Sequence, residues 1–283
     1  MNDPSDSRRI PTPELQDLLV SILLDFRDLC DRHDVQFFLD AGTLLGAIRH
    51  EGWIPWDDDL DITMKREALE RLQQIPEEAW TKADLKLLLP WRSPSATDIV
   101  RVIRPSQPII RGEGRFGLHF PEWQHLCIDL FVIESCPSGV ITYRLWRSLL
   151  RALQIANLTH HISYRGIFAS NEKAIAKIAV TAVKVSSAIL PSRLIQLFLY
   201  RLKALFRNEL RHALPSHPPT YWKSAAPQGA FAVEEGVLFE SESYLAPSSD
   251  SYLSYLYGPS YLQPPPPDDR EPPSYHHAYR LED

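Results

Sequence analysis

From Leu15 to Cys30 the chain repeats apolar residues at three- and four-residue steps, through Leu15, Leu18, Leu19, Ile22, Leu23, Phe26, Leu29 and Cys30. That is the period of one buried helix face. Thr12 is placed to cap this helix, with Pro13 at its first position. The rhythm then shortens. "VQFFLDAG" reads as a short buried strand ending at a Gly turn, "TLLGAIRH" as a short helix, and "LDITM" as the next strand. "REALERLQQI" returns to helical spacing through Leu69, Leu72 and Ile75, whereas "LKLLL" and "DIVRVI" are strand-like runs broken by prolines, and "CIDLFVI" is a further apolar strand. Strands interleaved with helices predict an α/β or α+β sheet domain over residues 1–135.

From Thr142 to about Arg211 the pattern is helical, which predicts a helical subdomain over residues 136–212. Arg144, Arg147 and Arg151 fall on one helix face. Lys173, Lys177 and Lys184 fall on another, with Ile175, Ile178, Ala179 and Val183 elsewhere around it. Pro191 ends or kinks a helix. Residues 213–283 are expected to pack back on the core, with a strand pair around "VLFESESYLAP" and a short helix in "DSYLSYLYG". The tail "QPPPPDDREPPSYHH" favours polyproline II or disorder.

Composition changes this picture in one place. Hydrophobic content of 44% with 23% charged residues is ordinary for a globular protein, but the net charge of -6 hides an asymmetry: between Cys136 and Asn208 eleven Lys or Arg residues face a single acid, Glu172. The block is either a solvated helical face or a surface for anionic lipid or an anionic polymer. The three cysteines show no metal-ligand spacing and cannot all pair, which points to a reducing compartment. The start of the chain lacks an apolar signal core, and no apolar run approaches the roughly 20 residues needed to cross a bilayer. The expectation is a cytoplasmic protein able to make peripheral contact with the inner face of a membrane.

The candidate chemistry lies in "PWDDDLDIT", where Asp57, Asp58, Asp59 and Asp61 crowd the entry to a strand. Carboxylates this close raise one another's pKa unless a cation or hydrogen-bond donors compensate. In an extended segment Asp59 and Asp61 project to one side while Leu60 and Ile62 project to the other, which suits an oxygen-seeking ion such as Mg²⁺ or Mn²⁺. Gly42 allows backbone to approach a phosphate, and Thr43 can donate a hydroxyl or expose the first amides of the following helix. Asp129, an acid within an apolar strand, is the candidate third carboxylate; alternatively it is a buried, hydrogen-bonded strand residue. Arg49, Arg101 and Arg104 are candidate clamps for phosphate oxygens or, equally, members of ion pairs. Asp57 and Asp58 can hold outer-shell water or shape the loop, and Trp53 and Trp56 can stack on a base or pack to fix it.

The run "GTLLGAIRHEGWIPWDDDLDI", followed by "IDLF", "YLSYLYG" and "PPPPDDR" in that order, resembles the LicD family of phosphotransferases, which lies within the nucleotidyltransferase superfamily and is related to fukutin and fukutin-related protein. The resemblance implies an α+β fold, a nucleotidyltransferase-like mixed sheet flanked by helices with an added helical subdomain. It also implies a phosphate cradle at Gly42 and Thr43 and metal-binding, catalytic carboxylates at Asp59, Asp61 and Asp129. The implied reaction moves phosphocholine or a polyol phosphate from a CDP-linked donor to a sugar hydroxyl on a glycan or lipid-linked polymer, and nucleic acid is not an implied partner. Glu134 stands where the family's strand motif usually ends in Asp, and the zinc-binding cysteines of fukutin-related protein have no counterpart here.

Three other readings compete. A nucleotidyltransferase would use the same carboxylates to move the nucleotide itself. A metal-dependent glycosyltransferase would account for Asp-x-Asp but not for the Gly-Thr pair or Asp129. A non-catalytic polymer-binding module would use the aspartates only to hold a structural ion.

Overall fold

Helix α1 (Thr12–Arg32) buries the predicted apolar stripe completely at Leu19, Ile22, Leu23, Phe26 and Leu29. Its cap differs from expectation. Pro11 is the extended capping residue and Thr12 already lies in the first turn, with the Pro11 carbonyl accepting from the Leu15 amide at 2.9 Å. The computed structural model describes residues 8–112, 115–206, 211–216, 226, 229–270 and 277–281.

Strand β1 (Phe38–Leu39) leads into α2 (Ala41–His50). The buried Asp40 caps this helix by accepting from the Ala41 amide at 2.7 Å. Gly42 and Thr43 therefore sit inside the first helical turn and not in the turn that the sequence suggests. Strand β2 (Asp61–Lys65) is followed by α3 (Arg66–Leu72), which stops before the buried Ile75, and then by α4 (Glu77–Lys82).

Strand β3 (Lys86–Leu88) pairs with the twelve-residue β4 (Val100–Arg111). Prolines were expected to break this run. Instead β4 continues through Pro105 and Pro108, because the pairing with β5 (His125–Cys136) shifts register between Ile103 and Pro108. A bulge of this kind absorbs residues that cannot donate to the ladder.

The sheet runs β1-β2-β5-β4-β3, with β2 parallel to β5 and the remaining pairs antiparallel. It is a mixed sheet flanked by helices, the α+β class predicted. Its central strand carries Leu130, Val132 and Ile133 into the core beside Ile62 and Met64 of β2.

The helical region comprises α5 (Val140–His160), α6 (Tyr164–Ala169), α7 (Ala174–Ser187) and α8 (Ser192–Lys203), with Pro191 at the break between the last two. Helix α5 packs against both α7 and α8. The region is tied to the sheet domain by polar contacts: Asn157 and Gln196 donate to carbonyls of Ser95, Ala96 and Thr97, and Lys203 pairs with Asp98 at 2.5 Å. A second tie is the buried Arg66–Glu134 ion pair, with Tyr200 of α8 stacked 4.8 Å from the guanidinium.

Of the three lysines expected on one face, Lys173 is exposed just before α7 while the other two reach back to backbone carbonyls. Lys177 donates to the Phe168 carbonyl at 3.0 Å and Lys184 to the Thr159 carbonyl at 2.8 Å, so both ammonium groups turn back toward the protein.

The C-terminal segment forms β6 (Arg211–Ala213) on β5, a hairpin of β7 (Val233–Phe239) and β8 (Glu242–Pro247), helix α9 (Ser249–Tyr257), and β9 (Ala278–Arg280) on β4. It packs back on the core through Tyr252, fully buried, whose hydroxyl donates to the Asp40 carboxylate. Of the proline-rich tail, Pro267–Asp269 make a single 3-10 turn, and residues 271–276 lie outside the described residues. Among the described residues no single helix is long and apolar enough to cross a membrane.

Candidate active site

The site is assembled across three adjacent strands, at the start of β2, the start of β4 and the interior of β5. In the parallel β2–β5 pair Asp61 lies beside Asp129, and in the antiparallel β4–β5 pair Asp129 lies beside Arg101. Register partners share a sheet face, so two carboxylates and a guanidinium stand in one row. Leu60 and Ile62, fully buried, anchor the other side as the alternation of "DLDI" requires.

Directly before β2 the loop carries Asp57, Asp58 and Asp59, whose nearest carboxylate oxygens all lie within 4.8 Å of one another. The buried Asp58 is turned toward Arg111, 3.9 Å away. Asp57 approaches α2 so closely that a Cβ on Gly42 would stand 2.8 Å from its Oδ2. That is the use of Gly42: it makes room for a carboxylate over the first turn of the helix. Thr43, also buried, accepts from the Asp61 amide at 2.9 Å and fastens α2 to the start of β2.

The electrostatics are those of an anionic cluster short of positive charge. Burial, then Asp59, Asp129, Asp40 and Asp57, push the Asp61 carboxyl well above the usual carboxylate range. Burial and the neighbouring Asp59 and Asp58 do the same to Asp57. The donors are all carboxylate oxygens, the set preferred by hard divalent cations. These residues fit such an ion.

Arg101 is committed to the protein. Fully buried, it grips Asp129 with two nitrogens, Nε to Oδ1 at 2.8 Å and Nη2 to Oδ2 at 3.2 Å, and its third faces Thr97 at 2.9 Å and Glu122 at 3.4 Å. Burial opposes its charge, but Asp129 and Glu122 outweigh that and raise its pKa. Glu122, which the sequence reading missed, is buried and accepts from the amides of Ala96 and Thr97. Burial alone would raise its pKa, yet Arg101 and these amides hold it low. A single Glu in a 3-10 turn offers no sequence signal of this role. Arg104 is directed elsewhere. Three positions along the strand from Arg101, it is on the opposite face, paired with Asp25 and bonded to Ser21 of α1.

The rim is cationic and aromatic. Arg49 bonds the Tyr261 carbonyl at 3.2 Å, and its pKa is lowered by burial first and by Arg270 as well, against the pull of Tyr257 and Asp57. Arg270, from the "PPPPDDR" segment, lies 5.0 Å over the half-buried Trp56. Trp53 packs edge-on against Phe239 at 5.4 Å. The sequence singled out the segment around Arg270, but only tertiary structure brings it to Trp56.

The carboxylates thus gather on one face of a mixed sheet, beside the first turn of α2. Residues 34–151 match the LicD/FKTN/FKRP nucleotidyltransferase domain family. Among individual relatives, the chain is 41% identical over 68 residues to the lipopolysaccharide cholinephosphotransferase LicD of Haemophilus influenzae, a stretch that is 24% of this chain and 26% of that protein. An uncharacterised protein of Rickettsia prowazekii is 44% identical over 57 residues, 20% of this chain and 21% of its own. The matches thus span about a quarter or less of these relatives.

Proposed function

We propose that this protein is a metal-dependent phosphotransferase that moves phosphocholine or a polyol phosphate from a CDP-activated donor to a sugar hydroxyl of a glycan or cell-wall polymer. The observation that carries the reading is the side-by-side placement of Asp61 and Asp129 on neighbouring parallel strands, with Asp59 close enough to raise the pKa of Asp61. The match of residues 34–151 to the LicD/FKTN/FKRP nucleotidyltransferase domain family supports it. So does the name of the Haemophilus relative, a cholinephosphotransferase acting on lipopolysaccharide.

Asp59, Asp61 and Asp129 would hold Mg²⁺ or Mn²⁺, with Asp57 adjoining them. When bound, such an ion supplies charge neutralisation for the pyrophosphate and for the leaving nucleotide. Asp129, oriented by the two-point grip of Arg101, is the proposed acceptor of the proton from the attacking hydroxyl. Arg49 and Arg270 on the rim would bind the donor's anionic groups, since two guanidinium groups that repel each other gain from an anion between them.

The test is to offer purified protein CDP-choline, CDP-ribitol and CDP-glycerol with Mg²⁺ and a lipid-linked glycan. Release of CMP with phosphoryl transfer to the glycan is expected. A nucleotide-modified acceptor would instead identify a nucleotidyltransferase, and retention of metal without turnover of any donor would identify a binding module.

A further inference from the structure

Helix α7 packs on α5 and α6 along one side and leaves an apolar face uncovered. Of its fourteen residues only Ser187 is buried, while Ile175 is 75% exposed, Ile178 68%, Val185 58%, and Ile189 just beyond its end 84%. With Ala182 these positions fall three and four apart, a continuous stripe along one face. Its two internal lysines, Lys177 and Lys184, bond back to carbonyls of neighbouring segments. The stripe itself is made only of Ile, Ala and Val and carries no charge.

The same character extends to the adjoining helices. Among the described residues 22 large apolar side chains are exposed, and 16 of them fall between Val140 and Leu205. They include Leu145 and Leu149 of α5 and Leu194 and Phe198 of α8. Monomeric soluble proteins rarely leave so much apolar surface in one region. Exposed Arg144 and Arg151 on α5 and Arg193 and Arg201 on α8 accompany it. The region's single acid, Glu172, is paired with Arg115.

We propose that α5 to α8 form a docking face for an anionic lipid bilayer, with the α7 stripe and its apolar neighbours seated at the headgroup–acyl boundary and the arginines at lipid phosphates. An apolar stripe accompanied by basic residues is the composition of helices that lie in the membrane interface. A second copy of this chain is a poorer occupant, because a twofold contact sets a patch against itself and would bring the region's uncompensated positive charge against the same charge on the partner. The helices lie on the membrane and do not cross it: α7 and the segment from Ser192 to Phe206 are apolar enough for a span only when taken together, and they are bent by 86°. The inference stands on this surface alone and holds whichever group the enzyme transfers.

The full chain should co-sediment with vesicles of mixed phosphatidylglycerol and phosphatidylcholine, less so with phosphatidylcholine alone, and keep part of its binding at high salt, which screens the arginines but not the apolar contact. An Ile175→Glu, Ile178→Glu, Ile189→Glu variant should partition at least ~100-fold more weakly. Because these side chains are exposed, its circular dichroism should match the native chain. An independent measurement uses Ile178→Cys carrying an environment-sensitive fluorophore, which labels selectively because Cys30, Cys127 and Cys136 are buried. Its emission should shift to the blue on adding the anionic vesicles, whereas the same label at Leu262→Cys, outside the region, should not move. The proposal is overturned if the native chain stays in the supernatant, if the variant binds equally well, or if the label on α7 does not shift. A self-associated native chain that the triple substitution disperses, without lipid binding, would assign the face to a second copy instead.

Discussion

At the scale of single residues, the site is defined by carboxylates that the fold concentrates and that Arg101 and Arg111 offset only in part. Replacing Asp59 or Asp61 with Asn deletes ligand charge but little volume, so each variant should lose about a thousandfold or more in turnover. Near-native turnover in either would remove the metal assignment. The raised pKa of Asp61 adds an opposite expectation for stability: its ionised form is disfavoured in the folded state, so without divalent metal Asp61→Asn should melt no lower than the native chain, and above pH 7 it should melt higher.

The pH dependence has a definite sign. Asp57 and Asp61 hold protons in the folded state to higher pH than in the unfolded chain, where aspartate titrates near ~3.9. Between those values the folded state binds more protons, so their contribution to stability is lost as pH rises toward the folded pKa. A divalent ion opposes this loss. The melting-temperature gain from Mg²⁺ over EDTA should therefore be larger at pH 8 than at pH 5, and a gain independent of pH would sink the account.

At the scale of the element, α2 carries two glycines with different duties. A Cβ at Gly42 meets the free end of the Asp57 side chain at 2.8 Å, whereas a Cβ at Gly46 meets the Gly52 backbone carbonyl at 2.5 Å. A carboxylate can swing aside; a backbone cannot. Gly42→Ala should leave stability nearly unchanged, helped by the ~1 kcal/mol helix preference for Ala, while weakening Mg²⁺ binding by displacing Asp57. Gly46→Ala should destabilise by about 1–3 kcal/mol through overpacking. Denaturant midpoints and metal titration of both variants separate the two effects.

At the scale of the whole molecule, the site depends on a buried ion network spanning β4, β5 and the loop at residues 95–97. Arg101 links Asp129 to Glu122, Glu122 binds the Ala96 and Thr97 amides, and Asn157 and Gln196 of the helical region bond the same loop. Arg101→Met leaves the buried Glu122 and the partly buried Asp129 without their counter-charge and should cost about 3–5 kcal/mol. Adding Glu122→Gln should restore part of that loss, because one of the stranded charges is then gone. A double variant that is merely additive in chemical denaturation would show that the network is not coupled.

The sequence by itself determined the periodic elements and the carboxylates placed before and within the strands. The α1 stripe, the β2 and β5 strands, and the positions of Asp59, Asp61 and Asp129 were legible because each depends on local spacing and on the cost of burying charge. Tertiary structure decided what those residues meet. Arg101 and Arg104 look alike in "RVIRP", but strand alternation sends one to Asp129 and the other to α1. Lys177 and Lys184 read as a basic face until the carbonyls of Phe168 and Thr159, on neighbouring segments, claim them and leave an apolar stripe outermost. Spacing along one element sets which side chains share a face; only the packing of other elements decides whether that face meets protein, solvent or something else.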